Sequence, residues 1–233
     1  MEQTQFRASI EASSWNGNIY AFPVSTTSNI MFYNKTHLDN AVIDYPTSDP
    51  SGRLTWEELL PMARQAQDAG AEWGVMFDQV NRYYQLQPLF ESLGGGSGLT
   101  GENNLTPAIT NDAWIESMEF YQGLFVDGYA PRGVPPSQSP DLFANGQVTF
   151  WVGGPWHLPR FREEADLEYG VAPFPYFAEG EPVTPTDAWS WGINPNSRHI
   201  EEVKQFLEFA TLTQQGARLI AENYPVPPTH RSV

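Results

Sequence analysis

One pair of adjacent signals constrains this chain more than any other. In TWEE, Thr55 is followed three residues later by Glu58, a capping box in which each side chain satisfies an open backbone N–H of the other. The helix it opens is expected to run to about Ala69, where Gly70 stops it. Just beyond comes WGVMFD (Trp73–Asp78), a short apolar run that reads as a buried strand. A capped helix returning at once into a buried strand is the repeating step of an α/β fold.

The same alternation recurs along the chain. GNIYAFPV (17–24) reads as a strand leading into a polar run, STTSN (25–29), and IMFYN (30–34) as a second strand. A Pro-, Asp- and Ser-rich loop fills 39–53. After the turn NRYY a helix is expected over about 85–93, ended by Gly94–Gly96. Asn111 can cap a helix running to Val126, with Trp114, Met118, Tyr121 and Phe125 on one face. A helical turn, DLFANG, precedes the strand QVTFWV (147–152), which ends in the turn GGPW. YGVAPFP (169–175) and DAWSWGINP (187–195) read as strands. Ile200, Val203, Phe206, Leu207 and Ala210 mark one amphipathic helix continuing towards Asn223, before an extended proline-rich tail.

Charge and composition remove several functions. A net charge of −16 argues against nucleic acid, since phosphate recognition needs clustered Lys and Arg. Only Lys35 and Lys204 are lysine, a surface suited to high salt, where repulsion is screened. Without cysteine there is no disulfide and no thiol chemistry. No run approaches the ~18 apolar residues a membrane helix needs. MEQTQFRASIEASSW lacks an apolar signal core, so no export address is expected within this sequence.

Catalytic patterns are equally sparse. The adjacent acids Glu57/Glu58, Glu163/Glu164 and Glu201/Glu202 would splay ~100° apart on a helix and cannot act together on one bond. His37, His157, His199 and His230 form no HxxxH or HExxH spacing, so neither a metal nor a cofactor is expected. No serine sits in a GxSxG elbow, and the glycine clusters lack a nucleotide-cradling pattern. What the chain does carry is aromatic residues at turns: Tyr83, Tyr84, Trp156, Trp189 and Trp191. An aromatic face can stack on the C–H face of a sugar while neighbouring polar groups bind its hydroxyls. Trp151, inside the strand before GGPW, is expected in the core, and Trp56, Trp73 and Trp114 in packing.

The ordered segments NGNIYAFPVSTTSNIMFYNKTHL, TWEELLPMARQAQDAG, WGVMF, ESLGGG, NDAWIESMEFYQGLFVDG, LFANGQVTFWVGGPW, YGVAPFP and WGINPNSRHIEEVKQFLEFATLTQQGARLIAENYPVPP carry a resemblance over nearly the whole chain. The chain resembles the extracellular solute-binding proteins of ABC sugar importers, the family that includes the maltose-binding proteins. That resemblance implies a periplasmic-binding-protein-like II fold: two α/β lobes joined by a hinge and closing on a ligand. Residues 1–24 would be a piece of the first lobe with the first crossover, 25–187 the second lobe, and 188–233 the return segment. The family normally carries further chain before Met1 and after the tail, so the resemblance implies a fragment: one nearly complete lobe plus pieces of the other. Phe206 or Leu207 would then be left exposed, with self-association as a consequence.

Carried over position by position, the resemblance places Trp156 and Tyr84 as stacking residues, with Gly154 and Tyr83 beside them. Trp189 and Asp187, in the second crossover, would face the ligand, and Asp78 joins them as a polar contact. Arg82 and Thr27 stand where maltose-binding members have acids, which makes maltose itself doubtful. The implied activity is capture, with no catalysis: a sugar or oligosaccharide is bound outside the cytoplasm, at the membrane, and handed to the permease. A binding protein of the same fold for a peptide, polyamine or phosphodiester is the alternative, and a glycosidase a more distant one.

Overall fold

The computed structural model describes residues 3–78, 82–184, 186–224 and 226–233. The chain forms two compact units, Met1–Ser28 with Thr186–Val233, and Asn29–Pro185. These divisions fall a few residues from those at 24/25 and 187/188 expected above.

The first unit opens with α1 (Arg7–Ala12) and a two-strand hairpin, β1 (Ser14–Trp15) and β2 (Asn18–Ile19). Asn16 and Gly17 turn this hairpin with φ of 48° and 77°, the backbone a two-residue hairpin loop demands. β3 (Phe22–Ser28) follows. The strand expected over 17–24 is therefore divided, and most of the polar run after it is strand. The reason lies far along the sequence: the last strand of the fold pairs antiparallel with β3, from Thr186↔Ser28 to Trp191↔Phe22, and backbone pairing does not ask for apolar side chains.

The second unit contains β4 (Ile30–Asn34), α2 (Lys35–Ala41), α3 (Trp56–Asp68), β5 (Trp73–Phe77) and α4 (Tyr83–Ser92). After the short pair β6 (Leu99–Thr100) and β7 (Thr106–Pro107) come α5 (Asp112–Val126), α6 (Ser139–Ala144), β8 (Val148–Gly153), α7 (Leu158–Glu163) and β9 (Tyr169–Pro173). The capping box of α3 is complete: the Glu58 N–H donates to Thr55 Oγ1 at 3.2 Å, and the Thr55 N–H donates to Glu58 Oε2 at 2.8 Å. Asn111 caps α5 by accepting from the Trp114 N–H at 3.0 Å. The face of α5 differs from the expected one, because Met118 is exposed while Trp114, Ser117 and Leu124 are buried. Tyr121 and Phe125 pack against the core from its flank.

The sheet runs β5-β8-β4-β9, with β5 parallel to β8 and β4 antiparallel to both of its neighbours. Every residue of β8 is buried, so both of its faces are covered, as its unbroken apolar run requires. Alternation sends Phe150 and Val152 to one face with Met31, Val75, Phe77 and Trp56. Trp151 goes to the other face with Phe32, Met76, Phe143 and Phe161. There its indole N–H donates to Ser139 Oγ at 2.8 Å, so the expected core assignment holds.

The chain then returns to the first unit as β10 (Thr186–Trp191), α8 (Ile200–Leu212) and α9 (Gln214–Asn223). The single helix expected over 200–223 is two. Thr213 is extended (φ −99°, ψ 144°), and its Oγ1 accepts from the Gly216 N–H at 3.1 Å, an N-cap that starts a new helix. Of the pair expected to be left open, Leu207 is buried and Phe206 is 59% exposed, its ring lying 6.3 Å from that of Trp191.

Candidate functional site

The sheet order explains why distant residues meet in the second unit. β5 and β8 are parallel neighbours, so the residues that follow them leave the sheet at the same end. Asp78 follows β5, and Gly154, Pro155, Trp156 and His157 follow β8. β4 is antiparallel to β8 with Ile30 opposite Gly153, which brings Asn29 to that end as well. Crevices outside the carboxyl ends of parallel strands are where α/β sheets place ligands.

Asp78 is completely buried, and its backbone N–H donates to Val152 O at 2.7 Å. Gln85, also buried in the first turn of α4, donates from Nε2 to the same carbonyl at 3.1 Å. Asn29 donates from Nδ2 to Tyr84 O at 3.0 Å. Each of these side chains keeps one buried acceptor oxygen, Asp78 Oδ1, Gln85 Oε1 and Asn29 Oδ1, without a partner among the described residues. The other Asp78 oxygen, Oδ2, lies 3.0 Å from His157 Nε2. Spacing rules His157 out as a metal ligand but says nothing of Asp78, so this pair, 79 positions apart, is the element missing from the sequence reading. The available signal was that Asp78 directly follows one apolar strand run and His157 lies in the turn that ends another.

Trp156 is half-buried, and its ring stands edge-on to Tyr84, with centroids 6.2 Å apart at 78°. α4 begins two residues earlier than expected, so both tyrosines lie in its first turn rather than in a preceding loop. The Gly-Gly pair has a steric cause. Neither glycine has positive φ, and Gly154 sits at φ −106°, ψ 162°, open to any residue. A side chain at Gly153 would instead run into the Trp151 ring, and one at Gly154 into the Trp156 ring.

The remaining expected residues are distributed elsewhere. Tyr83 stacks on Trp114 at 14°, its hydroxyl donating to Ser97 O. Burial raises its phenol above the usual range, and the Glu91 charge adds to this. Arg82 is exposed at the start of α4. Thr27 is buried in β3, opposite Asp187, whose side chain lies outside the described residues. Trp189 is 62% exposed in the first unit, where it lines a cavity of about 440 Å³ with Trp191, Ser25 and Tyr224. β3 carries one extra residue between its partners for Trp189 and Ser190, whereas β10 continues regularly, so both tryptophans reach this cavity.

Comparison with known proteins gives a consistent result. The model of a family described as bacterial extracellular solute-binding protein matches residues 3–217. The maltodextrin-binding protein of Bacillus subtilis is 25% identical, over 91% of this chain and 50% of its own length. A galactooligosaccharide-binding protein of the same organism is 22% identical, over 94% and 52%. A maltooligosaccharide ABC transporter solute-binding lipoprotein of Streptococcus pneumoniae is 24% identical, over 91% and 49%. The chain thus spans about half the length of the curated relatives it matches.

Proposed function

Since the chain belongs to the bacterial extracellular solute-binding protein family, we propose that it forms part of the solute-capturing component of an ABC importer and takes a sugar or oligosaccharide. In this reading its two units correspond to the lobes of a periplasmic-binding-protein-like II fold, the second nearly complete. The protein works outside the cytoplasm, by affinity rather than catalysis, and its partner is the importer's permease.

The observation that carries the reading is the pairing of Trp156 with Tyr84 beyond the carboxyl ends of β5 and β8. Two aromatic rings edge-on to one another offer a stacking face with a wall, the arrangement that suits the apolar face of a pyranose. Buried acceptors at the same end, on Asp78, Asn29 and Gln85, give the polar surroundings that orient a hydroxylated ligand. Gly154 leaves room for the indole.

Calorimetric titration with maltotriose and with a galactooligosaccharide tests this. Trp156→Ala is expected to weaken binding by about 1–2 kcal/mol, roughly a five- to thirtyfold rise in Kd. Undiminished affinity in that variant would refute the stacking role, and binding of a peptide or polyamine in place of either sugar would refute the ligand class.

A further inference from the structure

We propose that the buried Asp78–His157 pair is a positioning device for Trp156, an inference that rests on the stacking role proposed above. Asp78 acts through His157, and neither need touch the ligand.

Trp156 Nε1 is buried and has no hydrogen-bond acceptor among the described residues, so no polar bond of its own fixes the ring. Its place is set by its neighbours: the Gly154 backbone beneath it, the Tyr84 ring, and the His157 ring at 5.9 Å. The turn carrying it is a single 3-10 turn, Pro155–His157, with the His157 N–H donating to Gly154 O at 3.3 Å. Pro155 fixes one torsion of that turn. Anchoring His157 therefore anchors the turn.

His157 is anchored from two sides. Its ring stacks on Phe161 at 5.8 Å and 21°, and meets Trp151 edge-on at 5.0 Å and 90°. Those aromatic neighbours restrain the ring plane but still allow a half-turn about the Cβ–Cγ bond, which exchanges the two edges of the imidazole. The hydrogen bond from Nε2 to Asp78 Oδ2 removes this freedom. Asp78 is itself held in place, fully buried and with its backbone N–H donating to Val152 O near the end of β8. The chain of restraint runs from the sheet to Asp78, then to His157 and Trp156. A buried carboxylate is expensive unless paired, and Oδ1 has no described partner, so His157 is the group that satisfies it.

The test uses the whole chain labelled with 5-fluorotryptophan. Eight tryptophans give eight fluorine resonances, and the Trp156 line is assigned by its loss in Trp156→Phe. Two variants remove the hydrogen bond while keeping shape: Asp78→Leu deletes the acceptor, and His157→Phe keeps a ring against Trp151 and Phe161. Two others keep the bond: Asp78→Asn retains an acceptor and His157→Gln a donor. The expected result is a shifted and broadened Trp156 line in the first pair and a wild-type line in the second, with the Trp56 and Trp114 lines unchanged throughout. A Trp156 line that ignores Asp78→Leu or His157→Phe overturns the proposal, as does His157→Gln disturbing it as much as His157→Phe. If both bond-deleting variants fail to fold by circular dichroism, the pair holds the fold rather than the tryptophan, and the proposal is equally wrong.

A maltotriose titration of the same samples separates the two readings. Where the sugar moves the wild-type Trp156 line, His157→Phe should weaken affinity about tenfold, the typical worth of one well-placed aromatic ring against a ligand. Where neither maltotriose nor the galactooligosaccharide moves that line, the sugar reading fails, and the positioning role is still decided by the ligand-free spectra.

Discussion

Replacing Gly154 with alanine isolates one steric effect. The backbone at Gly154 (φ −106°, ψ 162°) suits any L-residue, so the substitution carries no conformational penalty. It should even gain about 0.4–1 kcal/mol by restricting the unfolded chain. Against that gain, the new methyl group would overlap the Trp156 ring. Forcing extra volume into a packed site costs ~1–3 kcal/mol, which leaves a net loss of about 1–2 kcal/mol. For a unit the size of residues 29–185 this corresponds to a fall in Tm of roughly 2–8 °C, measurable by circular dichroism. Gly192→Ala is the control, since a Cβ there meets nothing within 4 Å, and it should be neutral or slightly stabilising. The decisive comparison is Gly154→Ala made in a Trp156→Ala background, where the clash is gone and the alanine should be neutral or better. A coupling of about 1–3 kcal/mol between the two sites is expected. If Gly154→Ala costs the same with and without the indole, the glycine has some other cause and the reasoning fails.

Two further predictions concern stability. Trp151→Ala should destabilise the second unit by about 4–6 kcal/mol in urea melts, because it empties a large core site and strands the buried Ser139 hydroxyl. Trp151→Phe, which keeps most of the volume, should cost clearly less. The Tyr121 phenol, partly buried against Phe77 and Phe125, is pushed up to about 12 by desolvation. A raised folded-state value means that the unfolded chain loses this proton first. The stabilisation is thus complete below pH ~10 and lost as pH rises from there towards 12. Tyr121→Phe should flatten the stability profile in that window, while phenolate absorbance near 295 nm in the native protein loses its latest-titrating component.

Local signals carried much of this fold into the sequence. The Thr55/Glu58 box and the Asn111 cap each specify a helix start through a side chain that accepts from the backbone N–H three residues on. The unbroken apolar run of β8 announces a strand covered on both faces. What local pattern could not supply is pairing over distance. The polar residues Ser25–Ser28 are strand because β10 returns to them, and nothing within the stretch says so. Thr213 breaks the last helical segment through a cap to Gly216, a TQQG signal overridden by the apolar periodicity on either side. At the site, Trp156 and Tyr84 were visible as aromatics at turns. The meeting of Asp78 with His157 needed the knowledge that β5 and β8 lie side by side and parallel.

The place where β3 meets β10 also bears on the order in which the molecule can form. Ser28 lies opposite Thr186, so the whole of residues 29–185 leaves and re-enters the first unit at a single point. Until that segment is compact, joining β3 to β10 means closing a loop of its full length, an entropic cost of roughly 4–5 kcal/mol for a flexible chain. Once the segment has folded and its ends are held near each other, most of that cost has already been met. The contiguous unit can therefore assemble without the divided one, whereas the divided one must wait. Damage to the Trp151 core should slow the formation of both, while damage to α8 or α9 should leave the first-formed unit untouched.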